Sequence, residues 1–167
     1  MMDAADFVQR FGGVFEHSPW VAERAFASNP GVNLTSDSVH EALVVAFRAA
    51  SRDERLTVLR AHPDLAGKLA VAGELTEDSK AEQAGAGLDR LTQAEHSRFT
   101  ELNTAYTQKF GFPFIIAVKG LGKDDILSAF EVRIDNSVEE EFETATKQVE
   151  KIALLRLRAM LPGEDNA

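Results

Sequence analysis

Four stretches of this 167-residue chain hold side chains whose type and spacing could do chemistry. In RAHPDLAGKL (60–69), His62 stands directly before Pro63. Proline disfavours the α region for the residue preceding it, so His62 leaves its helix at a bend. Histidine exchanges protons near neutrality, its ordinary pKa lying at about 6.5. A histidine ending a helix can equally cap the last carbonyls, and both readings stand at this point. In LTEDSKAEQ (75–83), Ser79, Glu82 and Gln83 gather a hydroxyl, a carboxylate and an amide within one turn. Such a set offers donors and acceptors to a urea-like ligand. Ser79 and Glu82 also have the spacing of a capping box, which is a plain helix start.

The third stretch is KFGFPFIIAVKG (109–120). Gly111 and Pro113 break the helix before it, and Phe114, Ile115, Ile116, Ala117 and Val118 are apolar and extended in character. With no other strand-like run to pair with, their backbone groups must find side chains, water or a polar ligand. The fourth feature is Arg156. Phe142, Ala145, Val149 and Ile152 step by three and four along the last helix, and Arg156 is the next member. Arginine on an apolar stripe must snorkel or be paired. Facing inward, its planar fork suits a carboxylate.

Whole classes of chemistry have no residues to support them. The chain has no cysteine, hence no disulfide, thiolate nucleophile or Cys-ligated metal. It has no Walker loop, no GxGxxG, no HExxH and no GxSxG. Acid–base chemistry without metal or cofactor is the expectation. Lys+Arg 18 against Asp+Glu 27 gives a net charge of −9, which repels nucleic acid and anionic membranes. No apolar run approaches the ~20 residues of a membrane span. MMDAADFVQRF lacks a basic n-region and PGEDNA carries no peroxisomal or ER address, so a cytoplasmic, bacterial-type setting is expected.

The elements that must hold these residues read as helices. Asp3 precedes Phe7, Phe11, Val14 and Phe15 at helical spacing. Ser18-Pro19 has the form of an N-cap followed by a first helical residue, and NPG at 29–31 closes that helix. Ser38 with Glu41, Ser51 with Glu54, Thr92 with Glu95 and Ser137 with Glu140 are capping-box spacings. The last of these opens the longest helix, expected to run to about Leu161 before Pro162-Gly163. His40 and His96 fall in first turns and are expected to be solvated; His17, beside a cap and Trp20, is read as structural. The fold class is all-α: a single-domain multi-helix bundle over 1–167 (core about 7–161) with one extended apolar connector at about 111–119.

Taken together and in order, FGGVFEHSPWVAERA, HPDLAGKLA, LTEDSKAEQAGAGLDRL, LNTAYTQKFGFPFIIAVKG and KIALLRL resemble 2-oxo-4-hydroxy-4-carboxy-5-ureidoimidazoline (OHCU) decarboxylases of the urate-to-allantoin pathway. The likeness runs from about Phe7 to Leu161. It implies a cofactor-free, all-helical enzyme, a homodimer, that takes a small ureidoimidazoline to (S)-allantoin and CO2. It sets the family's catalytic histidine on His62, lined by Pro63, with a catalytic part for Glu82. Its substrate-binding run falls on Ser79, Lys80, Ala81, Glu82 and Gln83. Its backbone-binding segment falls on Phe114, Ile115, Ile116, Ala117 and Val118, and its substrate arginine on Arg156. Lys119 stands where an arginine is expected. A non-catalytic ureide-binding module, a cyclic-amide hydrolase using His62 and Glu82, and a plain interaction bundle are the competing readings.

Overall fold

Side-chain caps set most of the helix starts in the computed structural model, which describes residues 2–66 and 75–161. Asp3 accepts from the Asp6 N–H and opens α1 (Ala4–Phe11). Ser51 and Glu54 bond each other's backbone N–H reciprocally at the head of α4 (Arg52–Ala61). Thr92 and Glu95 do the same for α6 (Gln93–Phe110), and Ser137 and Glu140 for α8 (Val138–Met160). Each such cap is worth about 1 kcal/mol.

Three starts depart from the spacing. Thr35, a turn ahead of Ser38, caps α3 (Ser36–Ala49) by accepting the Ser38 N–H. Thr76 likewise caps α5 (Glu77–Gly85) by accepting the Ser79 N–H. In both, an upstream threonine extends the helix by one turn, and the serine becomes a first-turn residue. At α2 (Trp20–Ser28), the Ser18 hydroxyl donates to the Glu16 carbonyl and caps nothing. Gly122 precedes α7 (Lys123–Arg133), its N–H bonded to Asp125. Pro162-Gly163 lies outside the described residues.

Among the described residues there are eight helices and no strand, so the protein is all-α. None of these helices is long and apolar enough to cross a membrane. The chain forms two compact units: one of the stretch to Ala61 plus that from Val149 onward, the other of His62–Gln148. Helix α8 runs unbroken across the boundary at Gln148–Val149.

The first unit is built on Phe7, Phe11, Phe15, Leu43, Phe47 and Leu59, all fully buried. Phe15 and Phe47 meet at 5.1 Å between ring centroids. His40, expected to be solvated, has Nε2 2.8 Å from the Glu150 carbonyl. It sits on α3 beside Arg48, which grips the Glu150 carboxylate with Nε and Nη2 at 2.6 and 2.9 Å. His17 is exposed and holds a left-handed φ of 53°.

The second unit has an aromatic core centred on Tyr106, whose ring meets Phe110, Phe112, Phe114 and Phe130. Gly111 takes φ 80° to end α6, a conformation that favours glycine, and Pro113 disfavours the α region for Phe112 before it. The apolar connector that follows, 113–118, is neither helix nor turn. Phe114 stacks flat on Phe130 at 3.9 Å. Inside this core lies a carboxylate with no exposure, Glu141. Tyr106 Oη donates to its Oε1 at 2.6 Å, Arg133 Nε to the same oxygen at 2.9 Å, and Asn136 Nδ2 to Oε2 at 3.0 Å.

Burial, and then the bond to Glu141, push the Tyr106 hydroxyl far above its ordinary pKa. A raised folded-state value means stability that is complete below the unfolded pKa of about 10 and lost as pH rises past it. Tyr106→Phe should therefore cost about 1.5–3 kcal/mol at pH 7, the worth of a hydrogen bond to a charged group. Urea unfolding at pH 7 and at pH 10.5 checks this; the gap between wild type and variant should narrow at the higher pH.

Candidate active site

His62 follows the last residue of α4 and is buried, at 8% exposure. Proline at 63 pulls it out of the helix, as the local sequence requires. The turn that follows is held by side chains at three successive residues. Gln83 Nε2 donates to the Asp64 carbonyl at 3.3 Å, Asn103 Nδ2 to the Leu65 carbonyl at 2.9 Å, and the Ala66 N–H donates to Gln83 Oε1 at 2.9 Å. Ala66 takes a left-handed φ of 53°. That conformation costs a non-glycine residue of order 1 kcal/mol or more and persists only where the surroundings over-determine it. The clamp by Gln83 and Asn103 does so. The rest of the motif, from Gly67 through Ala70, lies outside the described residues.

Helix geometry divides the run Ser79–Gln83. Ser79 and Gln83, four apart, share one buried face of α5. Glu82 is half-buried, and Lys80 and Ala81 are exposed. Gln83 spends both ends of its amide on the loop after His62, so it is as much a support for the histidine as a ligand group.

The connector Phe114–Val118 is buried except at Ile116, which is half-buried. Two side chains grip its backbone. Arg133 Nη1 donates to the Ile115 carbonyl at 2.7 Å, and the Ala117 N–H donates to Gln148 Oε1 at 2.9 Å. The Arg133 guanidinium also lies 4.3 Å from the centroid of the Phe114 ring. Lys119, just after the connector, is exposed.

Arg156 belongs to the other unit and does not snorkel: it is 6% exposed. Its Nη2 donates to Glu16 Oε2 at 3.1 Å, and Glu16 is itself 2% exposed. The carboxylate partner expected of an inward arginine is thus supplied by the chain. Arg158, by contrast, lies at the surface 4.0 Å from Asp37.

Asn103, Glu16, Arg133 and Gln148 were not singled out from sequence. Asn103 and Arg133 carried a signal: each is a polar residue on an apolar stripe, Asn103 four after Phe99 and Arg133 three after Phe130. Burial raises the pKa of the Asp64 carboxyl, two residues after His62. A raised value means the fold prefers the neutral acid, so its ionisation opposes folding as pH climbs through that value. Asp64→Asn should raise the melting temperature at pH 7, and the difference should vanish by about pH 4, near the ordinary carboxyl pKa. Thermal melts across that range test it.

The chain matches the family model described as OHCU decarboxylase over residues 1–158. It is 44% identical to the 2-oxo-4-hydroxy-4-carboxy-5-ureidoimidazoline decarboxylase of Haloferax volcanii, covering 98% of this chain and 94% of that protein. Its fold is similar to that of a crystal structure of (S)-allantoin synthase, with a TM-score of 0.76 and 32% identity. The match covers 96% of this chain and 51% of that one, so the chain spans about half of its length. A crystal structure of OHCU decarboxylase in the presence of (S)-allantoin gives a TM-score of 0.68 over 85% of this chain and 90% of that one. At 24% identity, that likeness speaks for the fold. With the motifs and the all-helical fold already in place, the chain belongs to the OHCU decarboxylase family, carboxy-lyases of urate degradation.

Proposed function

We propose that this protein decarboxylates OHCU to (S)-allantoin and CO2 with His62 as general acid/base and Glu82 assisting it. Arg156 and the backbone of Phe114–Val118 hold the substrate, with Pro63 and the Ser79–Gln83 run lining its site. The observation that carries this is the buried His62, set at the head of a strained turn that Gln83 and Asn103 clamp. Side-chain bonds spent on fixing a turn beside a buried histidine are what a proton donor of fixed direction needs.

The substrate's chemistry asks for little else. Its ring carbon carries a carboxylate and a hydroxyl beside a C=N that bears the ureido group. When the bond to the carboxylate breaks, CO2 leaves and the bond's electron pair forms a C=C to the ureido-bearing carbon, while the nitrogen of that C=N takes a proton. The hydroxyl then becomes a carbonyl while the ureido-bearing carbon takes a proton. The substrate serves as its own electron sink. The protein must deliver the proton to one face, and an imidazole suits the task, contributing ~10²–10⁴-fold. The part of Glu82 in this reading is to orient His62 or to take the hydroxyl proton.

Arg156, oriented by Glu16, offers its fork to an anionic part of the substrate. A guanidinium clamped on the departing carboxylate would stabilise the ground state and slow its loss, so the leaving group is better served by apolar surroundings. The protein is further proposed to work as one domain, as a homodimer, in the cytoplasm.

His62→Asn should keep the fold and lose at least ~10²-fold in turnover. Circular dichroism on OHCU made in situ from urate, with CO2 release measured alongside, reads this out; retained stereospecific activity would take His62 out of the mechanism. Release of no CO2 by wild type would favour hydrolysis. Arg156→Lys should raise KM by about tenfold, since a point charge cannot replace a planar fork; steady-state kinetics with an unchanged KM would count against it as a ligand.

A further inference from the structure

We infer that Arg133 and Gln148 are positioning residues for substrate binding: they fix the register of the connector so that the N–H and C=O of Ile116 face the ligand. This rests on the proposed use of that segment as a backbone contact. An extended chain presents its polar groups alternately to its two edges. The N–H and C=O of one residue point to the same edge, those of the next to the opposite edge. Ile115 and Ala117 flank Ile116, and each has one backbone group held from outside the connector. The Ile115 carbonyl accepts from Arg133 Nη1 at 2.7 Å, and the Ala117 N–H donates to Gln148 Oε1 at 2.9 Å. One grip is a donor and the other an acceptor, so the segment cannot slip by a residue without mismatching both.

Ile116 lies between these two grips. Its backbone makes no hydrogen bond to any described residue, and it is the residue of the five that is not fully buried. An N–H and a C=O side by side match the donor–acceptor pair of a cyclic amide or urea. A ligand of that class would complete the pairing that burial demands.

Arg133 holds its place because it is fixed at its other end. Its Nε donates to Glu141 Oε1 at 2.9 Å, where Tyr106 and Asn136 also converge. Gln148 is half-buried on α8 and can be replaced with less disturbance than Arg133.

The test uses the full chain, with (S)-allantoin as the probe and turnover of OHCU as the second readout. Gln148→Met keeps the shape and loses the acceptor; Gln148→Glu keeps an acceptor oxygen. Gln148→Met should fold, weaken (S)-allantoin binding about tenfold and raise KM to match, with kcat changed no more than a few-fold. Gln148→Glu should recover most of that loss. Arg133→Met should act in the same direction, and Gln148 decides if that variant fails to fold. In amide NMR spectra of wild type, (S)-allantoin should shift the Ile116 resonance and leave Ala117 nearly in place. A merely structural Gln148 would lower the melting temperature and the active fraction without moving KM or Kd. A folded Gln148→Met with wild-type KM and Kd overturns the inference and leaves the decarboxylase reading intact, as does an Ile116 amide indifferent to saturating (S)-allantoin. A wild type that neither decarboxylates OHCU nor binds (S)-allantoin overturns both.

Discussion

A carboxylate sealed from water must be met by donors, and meeting this need at Glu141 ties together three elements of the His62–Gln148 unit. Leaving such a group without partners costs several kcal/mol, so the three donors around it are obligatory. They come from three places in the chain: Tyr106 on α6, Arg133 on α7 and Asn136 in the turn before α8. Once Glu141 has fixed the Arg133 guanidinium, its remaining arm can hold the Ile115 carbonyl, and its face can lie against Phe114. The flat Phe114–Phe130 stack then closes the aromatic core. One charge thus secures helix packing and the shape of a segment that has no helical bonds of its own.

The irregular stretches share this logic. An all-helical protein satisfies its backbone within helices, and wherever the helix stops the polar groups need outside partners. Here side-chain amides take that part. Gln83 and Asn103 serve the turn after His62, and Gln148 serves the connector. These are also the stretches that carry the proposed chemistry, because backbone outside a helix is what a ligand can reach. Arg156 and Glu16 meet the same rule in the other unit, where a buried cation has a buried anion.

Much of this was legible before any coordinates. Capping pairs at Ser51, Thr92 and Ser137 and the break at Gly111–Pro113 follow from local rules, and locally they hold. The starts of α3 and α5 were misplaced by one turn because two hydroxyls compete three residues apart, and spacing alone does not say which is used. The paired state of His40 was hidden because its partner, the Glu150 carbonyl, lies 110 residues away. Family motifs carry His62, the Ser79–Gln83 run and the connector; the side chains that brace the turn after His62 and the connector are less visible for another reason. Asn103, Arg133 and Gln148 act through single long-range bonds to backbone, and backbone partners leave no trace in residue identity. A polar residue on an apolar stripe was the trace that two of them did leave.

The pairing of Arg156 with Glu16 spans 140 residues, and this has a consequence for how the chain is made. At ribosomal speeds of about 5–20 residues per second, Glu16 emerges roughly 7–28 s before its partner. The first unit is also discontinuous in sequence, resuming only at Val149, whereas His62–Gln148 is one uninterrupted stretch. The second unit can be complete while the first still lacks its closing helix segment. During that interval Glu16 lacks the cation that it meets in the folded chain. The buried pair of the first unit can therefore form only once the chain is translated through Arg156.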